Sequence, residues 1–203
     1  MCWNAEVSLQ TFIFSTTPLV ICLYYNLIGI RDFLVYQSFI SIQLLEFFLW
    51  TFLNNKTWNR NFSILGLILI ISQPAFSIYA SRAKYMPNVL MAYGLFAMYA
   101  LTIPIHFNTT IAPTKHLSWN WLKFPVHVIL IWSLFFMYSS IYLMYSGTYT
   151  DTDIKIILFL SSIYIFSFYS YYSSNTFGTM WCWIANAFSF YFYFLLLQFA
   201  LKR

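Results

Sequence analysis

Charge is what this sequence lacks most: only 7% of its 203 residues are charged, with five acidic side chains in all. Soluble domains carry about a quarter charged residues, so composition alone excludes a water-soluble fold. Cysteine occurs three times, as Cys2, Cys22 and Cys182, without paired spacing. Neither a zinc site nor a disulfide framework is indicated. Histidine is confined to positions 106, 116 and 127, too few and too peripheral for a haem or metal bundle, and no cofactor is expected. No lysine lies inside the last apolar run before Lys202, which excludes a retinal Schiff base. His-x-x-x-His, Gly-x-Ser-x-Gly and paired intramembrane aspartates are missing, so hydrolase and protease readings lack their groups. The N-terminus has no basic region ahead of its first apolar run, so no cleavable leader is expected.

What is present is apolar and aromatic: 61% hydrophobic residues and 24% Phe, Trp and Tyr. A gene rich in A and T would produce the same excess of Phe, Tyr, Ile and Asn. About twenty apolar residues cross a bilayer, and seven runs approach that length. They are Leu9–Ile30, Phe33–Leu53, Phe62–Ala80, Met86–Ile105, Pro125–Ser146, Ile154–Ser173 and Phe177–Leu201. The expected fold is all-α, a seven-helix transmembrane bundle forming one domain over 1–203. The longest connection, His106–Phe124, carries Trp119 and Trp121, which suit an interface anchor.

Seven spans place the N-terminus and the loops after spans two, four and six on a first face, with Lys56, Arg60, Lys115 and Lys123. The second face holds Arg31, Arg82, Lys84, Lys155, Lys202 and Arg203. The larger basic count favours a cytoplasmic second face, with the N-terminus outside or lumenal and the C-terminus cytoplasmic. The acceptor triplets beginning at Asn55, Asn61 and Asn108 all lie on the first face. Asn61 is too near the bilayer, which leaves Asn108 and Asn55 as glycosylation candidates. The net charge of +5 sits in short loops and at the C-terminus, so it calls for no nucleic-acid partner.

The second span organises the rest. Glu46 is the one ionisable residue deep inside an apolar run, roughly 10 Å from the first-face end at 1.5 Å per residue. A carboxylate at such depth costs roughly 2.5–3.5 kcal/mol on insertion scales, so it should face protein or water. At 100° per residue, Tyr36, Gln43, Glu46 and Trp50 share one face, while Gln37 and Ser41 lie opposite. A helix polar on two sides belongs at the centre of a bundle. A neutral Glu46 donating a hydrogen bond suits this depth. Cys182 and Asn186, four residues apart on span seven, enter from the same face at a similar depth, and His127 is near that level. Two arrangements are open. Glu46, Gln43, Asn186, Cys182 and His127 line a polar cavity open to the first face, a proton or cation site. Alternatively they scatter and act as interhelical glue.

Pro18, Pro74 and Pro104 interrupt spans one, three and four. Such breaks are tolerated in membranes and also build transporter sites. Tyr138, Tyr142, Tyr145 and Tyr149 follow helical spacing, joined by Tyr164 and Tyr171, and are read as packing residues with hydroxyl partners. Cys2 and Cys182 could meet if the N-terminus tucks into the bundle mouth. The alternative is that both are packing residues.

The opening Met1-Cys2-Trp3-Asn4-Ala5-Glu6-Val7-Ser8, the run Ser41-Ile-Gln43-Leu-Leu-Glu46-Phe-Phe-Leu-Trp50 and Trp181-Cys182-Trp183 resemble an uncharacterised family. Its members are small multi-pass membrane proteins encoded by large DNA viruses and some eukaryotes. The resemblance implies a viral or microbial-eukaryote source, in a host endomembrane, plasma membrane or virion membrane, and supplies no activity. The expected function is a small-solute or ion transporter or channel around Glu46. The alternative is a non-catalytic structural or assembly component of a viral membrane. Expected partners are the bilayer and further copies of this chain or other membrane or coat proteins. An enzyme is the weakest reading.

Overall fold

The computed structural model describes residues 4–138, 162–174, 176–180 and 186–202. Among them the chain is mostly helical. Asn4 opens α1 (Ala5–Tyr24) by accepting the Val7 N–H at 2.8 Å, the side-chain cap that orphan N–H groups need. The helix closes where Asn26 takes a φ of 54° and Leu27 N–H donates to Cys22 O, a left-handed cap. That closure ends the first helix at Tyr24 and lets Ile30 open α2 (Ile30–Thr51), so the expected Leu9–Ile30 boundary is corrected. Asn55 caps α3 (Lys56–Ala80), accepting from Thr57 and Trp58 N–H. It thereby recruits most of the polar octapeptide 54–61 into a helix that begins six residues before the expected Phe62.

Helix α4 (Met86–Leu101) stops short of the expected Ile105, because Pro104 disfavours helical geometry just ahead of it. Helix α5 covers Val126–Phe136. The other end of the expected fifth span, and the start of the sixth, fall outside the described residues. Residues 162–171 are helical. A helical turn at 177–180 and a 3-10 turn Asn186–Phe188 precede α6 (Ser189–Leu201). Helices α1, α2 and α3 are long and apolar enough to cross a membrane, whereas α4, α5 and α6 are shorter apolar helices.

The largest departure from expectation is the connection between α4 and α5. It folds into an antiparallel hairpin, β1 (Thr109–Ile111) against β2 (Leu117–Trp119), in the register Thr109↔Trp119 and Ile111↔Leu117. Trp119 and Trp121 do not anchor an interface. Both are fully buried, stacked at 4.9 Å. Among the described residues, the helical fold therefore carries one small sheet.

Two apolar clusters share α2. Ile42, Leu45 and Leu49 pack with Leu67 and Ile70 of α3, the hairpin tryptophans and Val128 and Ile129 of α5. On its other side, Ile40 meets Leu19 and Cys22 of α1 and Phe192 of α6. Placed between both clusters, α2 is central. Small side chains line the inward side of α1, with Ser8, Ser15 and Cys22 buried at seven-residue spacing. Such residues let helix backbones approach closely.

The two prolines inside helices are answered from neighbouring elements. Pro18 has no N–H for Phe14 O, and the Tyr193 hydroxyl of α6 donates to it at 3.0 Å. Pro74 likewise leaves Ile70 O, and the Trp132 indole N–H of α5 donates there at 3.2 Å. The next carbonyl, Ile71 O, accepts from the Tyr93 hydroxyl of α4. A proline break in an apolar environment needs such replacement donors.

Candidate functional site

Gln43 and Glu46 are both 0% exposed. They lie on the arc of α2 between Ile40, which faces α6, and Leu45 and Leu49, which face α3 and the hairpin. The helix pitch produces this placement, since residues three apart project about 60° from each other. Half-buried Trp50 lies on the same side, one turn nearer the first face. A carboxyl group so enclosed must be neutral or matched by interior partners.

Asn186 is also buried, at the start of the turn leading into α6. The register of α6 on α2 is set by Tyr36, which stacks on Phe188 at 5.2 Å and 7° and meets Phe192 edge-on at 4.9 Å. Gln43 stands about 10 Å, and Glu46 about 15 Å, along α2 from Tyr36. Asn186, two residues ahead of Phe188, is nearer the level of Tyr36 than that of Glu46. Gln43 and Glu46 thus share one stretch of the interior, with Asn186 further toward the second face. Cys182 lies outside the described residues, as does Cys2, so the pairing of those thiols does too. Cys22 is buried, its thiol 3.7 Å from Phe192 O.

His127 is not among the interior groups. It is exposed near the start of α5, its Nε2 3.4 Å from the Tyr99 hydroxyl of α4. Val128 and Ile129 take the inward positions of that turn, which directs their neighbour outward. Among the described residues, no three His, Cys, Asp or Glu side chains are grouped to hold a metal ion. The two glycosylation candidates, Asn55 and Asn108, are both exposed.

The hairpin occupies the α3 side of the mouth expected on the first face. Asn59 of α3 treats Thr109 as a strand neighbour. Its Oδ1 accepts the Thr109 N–H at 2.8 Å, and its Nδ2 donates to Thr109 O at 2.9 Å and Leu53 O at 3.0 Å. The Thr109 hydroxyl then pairs with Ser63 Oγ at 3.1 Å and accepts from the Trp121 indole at 3.0 Å. Every member of this buried network has a partner, the condition under which such networks specify a unique arrangement. On the opposite side, the Thr179 hydroxyl donates to Leu117 O at 3.2 Å.

Two glycines make room for the rings. A Cβ at Gly66 would lie 2.7 Å from Trp121, and one at Gly178 2.7 Å from Trp119. Leu45, next to Glu46, also borders Gly66, at 2.8 Å from that Cβ position. The tryptophan stack therefore reaches the depth of the interior carboxyl group.

Sequence reasoning missed Asn59, Thr109 and Gln73. Gln73 is fully buried and donates to Ser38 O of α2 at 3.4 Å. Its signal was legible as a polar side chain beside Pro74 in an apolar run. Asn59 and Thr109 had none, because each reads as ordinary loop sequence. A cavity of about 40 Å³ lies between α3, α4 and α5, lined by apolar side chains including Leu67, Phe96, Ala100 and Trp132. It is separate from the polar groups of α2. No protein family, curated protein or solved structure matches this chain.

Proposed function

We propose that the chain is a multi-pass integral membrane protein that moves a small solute or an ion past Glu46. The observation that carries this reading is a fully buried Glu46, with buried Gln43 one turn away, on a helix long and apolar enough to span a bilayer. Intramembrane ionisable residues are rare, face the interior and commonly mark ion pathways or proton relays. A glutamate there would take up and release a proton or cation, and Gln43 offers both a donor and an acceptor beside it. Movement then requires the first-face hairpin or another element to shift, because Glu46 is closed from solvent in this conformation. Seven spans, with the N-terminus outside, complete the reading.

The test is flux in liposomes containing the purified protein. Proton or cation flux present with the wild type should fall at least tenfold with Glu46→Gln, which keeps the shape and removes the charge. Unchanged flux would take Glu46 out of the mechanism.

A second reading, a non-catalytic structural or assembly component of a viral membrane, is favoured by the use of polar side chains as joints. Tyr193, Trp132, Tyr93, Asn59 and Thr179 all hydrogen-bond across elements. It fits the resemblance to the virus-encoded family. Abundance of the protein in purified particles, with no flux in liposomes, would decide for it.

A further inference from the structure

On the second face, the turn between α1 and α2 meets the turn between α3 and α4. Arg31 lays its guanidinium over the Tyr79 ring at 4.5 Å and donates to Tyr79 O at 3.4 Å. This uses one of its five N–H donors and holds the planar group in place. Arg82 follows on the neighbouring turn, exposed, with a left-handed φ of 53°. The turns are in contact at Gly29: a Cβ there would stand 3.7 Å from Arg82 Nη2 and 3.4 Å from Asp32 Oδ2. Lys84 is also exposed, its ammonium 5.6 Å from the Tyr85 ring centroid. Arg82 and Asp32 thus flank Gly29, with Arg31 next to Asp32 in sequence and Lys84 two residues beyond Arg82, so these turns carry three cations and one carboxylate and a net positive charge.

We propose that this corner binds the phosphate of an anionic phospholipid headgroup through Arg31, Arg82 and Lys84. The inference rests on the membrane reading above. Guanidinium groups match phosphate oxygens in a bidentate fork, and a fixed Arg31 loses little freedom on binding. The depth is right for a lipid. Exposed Tyr79 and Tyr85 lie beside Arg31 and Lys84, and exposed Tyr24 and Tyr25 end α1 just before the same turn, as aromatic side chains do at headgroup level. Exposed Ile30, beside Arg31, offers an apolar surface for the acyl chains. Charge complementarity and this aromatic collar favour a lipid over a soluble anion.

The experiment takes the full chain in phosphatidylcholine vesicles with and without phosphatidylglycerol, extracts it in mild detergent and weighs the retained lipid by native mass spectrometry. Wild type should retain phosphatidylglycerol over phosphatidylcholine. Arg31→Gln with Arg82→Gln should lower that retention on the order of tenfold, the scale expected for two basic groups near an anionic headgroup. Lys56→Gln with Arg60→Gln removes equal charge from the first face and should leave retention unchanged. Equal loss in both double variants, or no lipid preference in wild type, overturns the proposal. Raising the salt concentration on wild type needs no variant and should weaken retention by screening. Indifference to salt would count against the site. Displacement by inorganic phosphate would assign the corner to a free anion and also overturn the proposal. A protein that stays in solution without detergent would instead overturn the membrane reading itself.

Discussion

At the residue scale, glycine marks where the fold has no space to spare. Gly66 of α3 and Gly178 each abut a tryptophan ring, and an added methyl at either would come within 2.7 Å of it. Gly94, in the middle of α4, has nothing within 4 Å of its Cβ position. The same substitution should therefore have opposite signs. Gly66→Ala forces Trp121 or Leu45 to move and should destabilise by about 1–3 kcal/mol, the usual penalty of overpacking. Gly94→Ala should be neutral or stabilising by up to about 1 kcal/mol, because alanine is the better helix former. Thermal unfolding of both variants in the same detergent checks this. Equal effects would mean that the tryptophan stack does not press on α3.

At the element scale, the proline breaks tie helices together. The Tyr193 hydroxyl supplies Phe14 O with the donor that Pro18 cannot. Tyr193→Phe should cost about 1 kcal/mol, the net value of one such bond. In a Pro18→Ala background the restored backbone N–H can take that carbonyl, so the same change should cost less. A double-mutant cycle reads the difference as a coupling energy. Zero coupling would show that the tyrosine is not replacing the missing amide. Trp132 stands in the same relation to Pro74, and Tyr93 bonds the next carbonyl, Ile71 O, so α4 and α5 both join α3 beside its break as α6 joins α1 at Pro18.

At the scale of the whole molecule, the hairpin is where the proposed orientation is tested. Its Asn108 is exposed and immediately precedes β1, whereas Asn55 uses its side-chain oxygen to cap α3. With the first face in a secretory lumen, Asn108 should carry glycan and Asn55 should not, because the Asn55 side chain is engaged in capping α3. Glycosidase treatment of wild type, Asn108→Gln and Asn55→Gln should show a mobility shift lost only in the Asn108 variant. Labelling of the hairpin from the cytosolic side would reverse the orientation. The two apolar clusters meeting on α2 give this map a fixed reference, since each of α1, α3, α4, α5 and α6 contributes buried side chains to one or the other.

Local chemistry made much of the helical framework legible in the sequence. Apolar runs of spanning length with almost no charge mark α1 to α4, with ends up to six residues off, and the polar side chains on both sides of α2 identify it as central. Buried Gln43 and Glu46 follow from the same reasoning, because a polar group at that depth has to turn inward. Tertiary structure alone decided the rest. The chain between α4 and α5 reads as an ordinary loop with two interfacial tryptophans. It becomes a buried hairpin because Asn59, fifty residues away in sequence, offers both an acceptor and a donor to Thr109. His127 is directed outward by which side of α5 packs, and Tyr193 finds Phe14 O only after α6 returns to α1. Periodicity is a property of neighbours in sequence. Pairing of a freed carbonyl, a glycine notch or a loop amide with its partner depends on distances that exist only once the chain has folded.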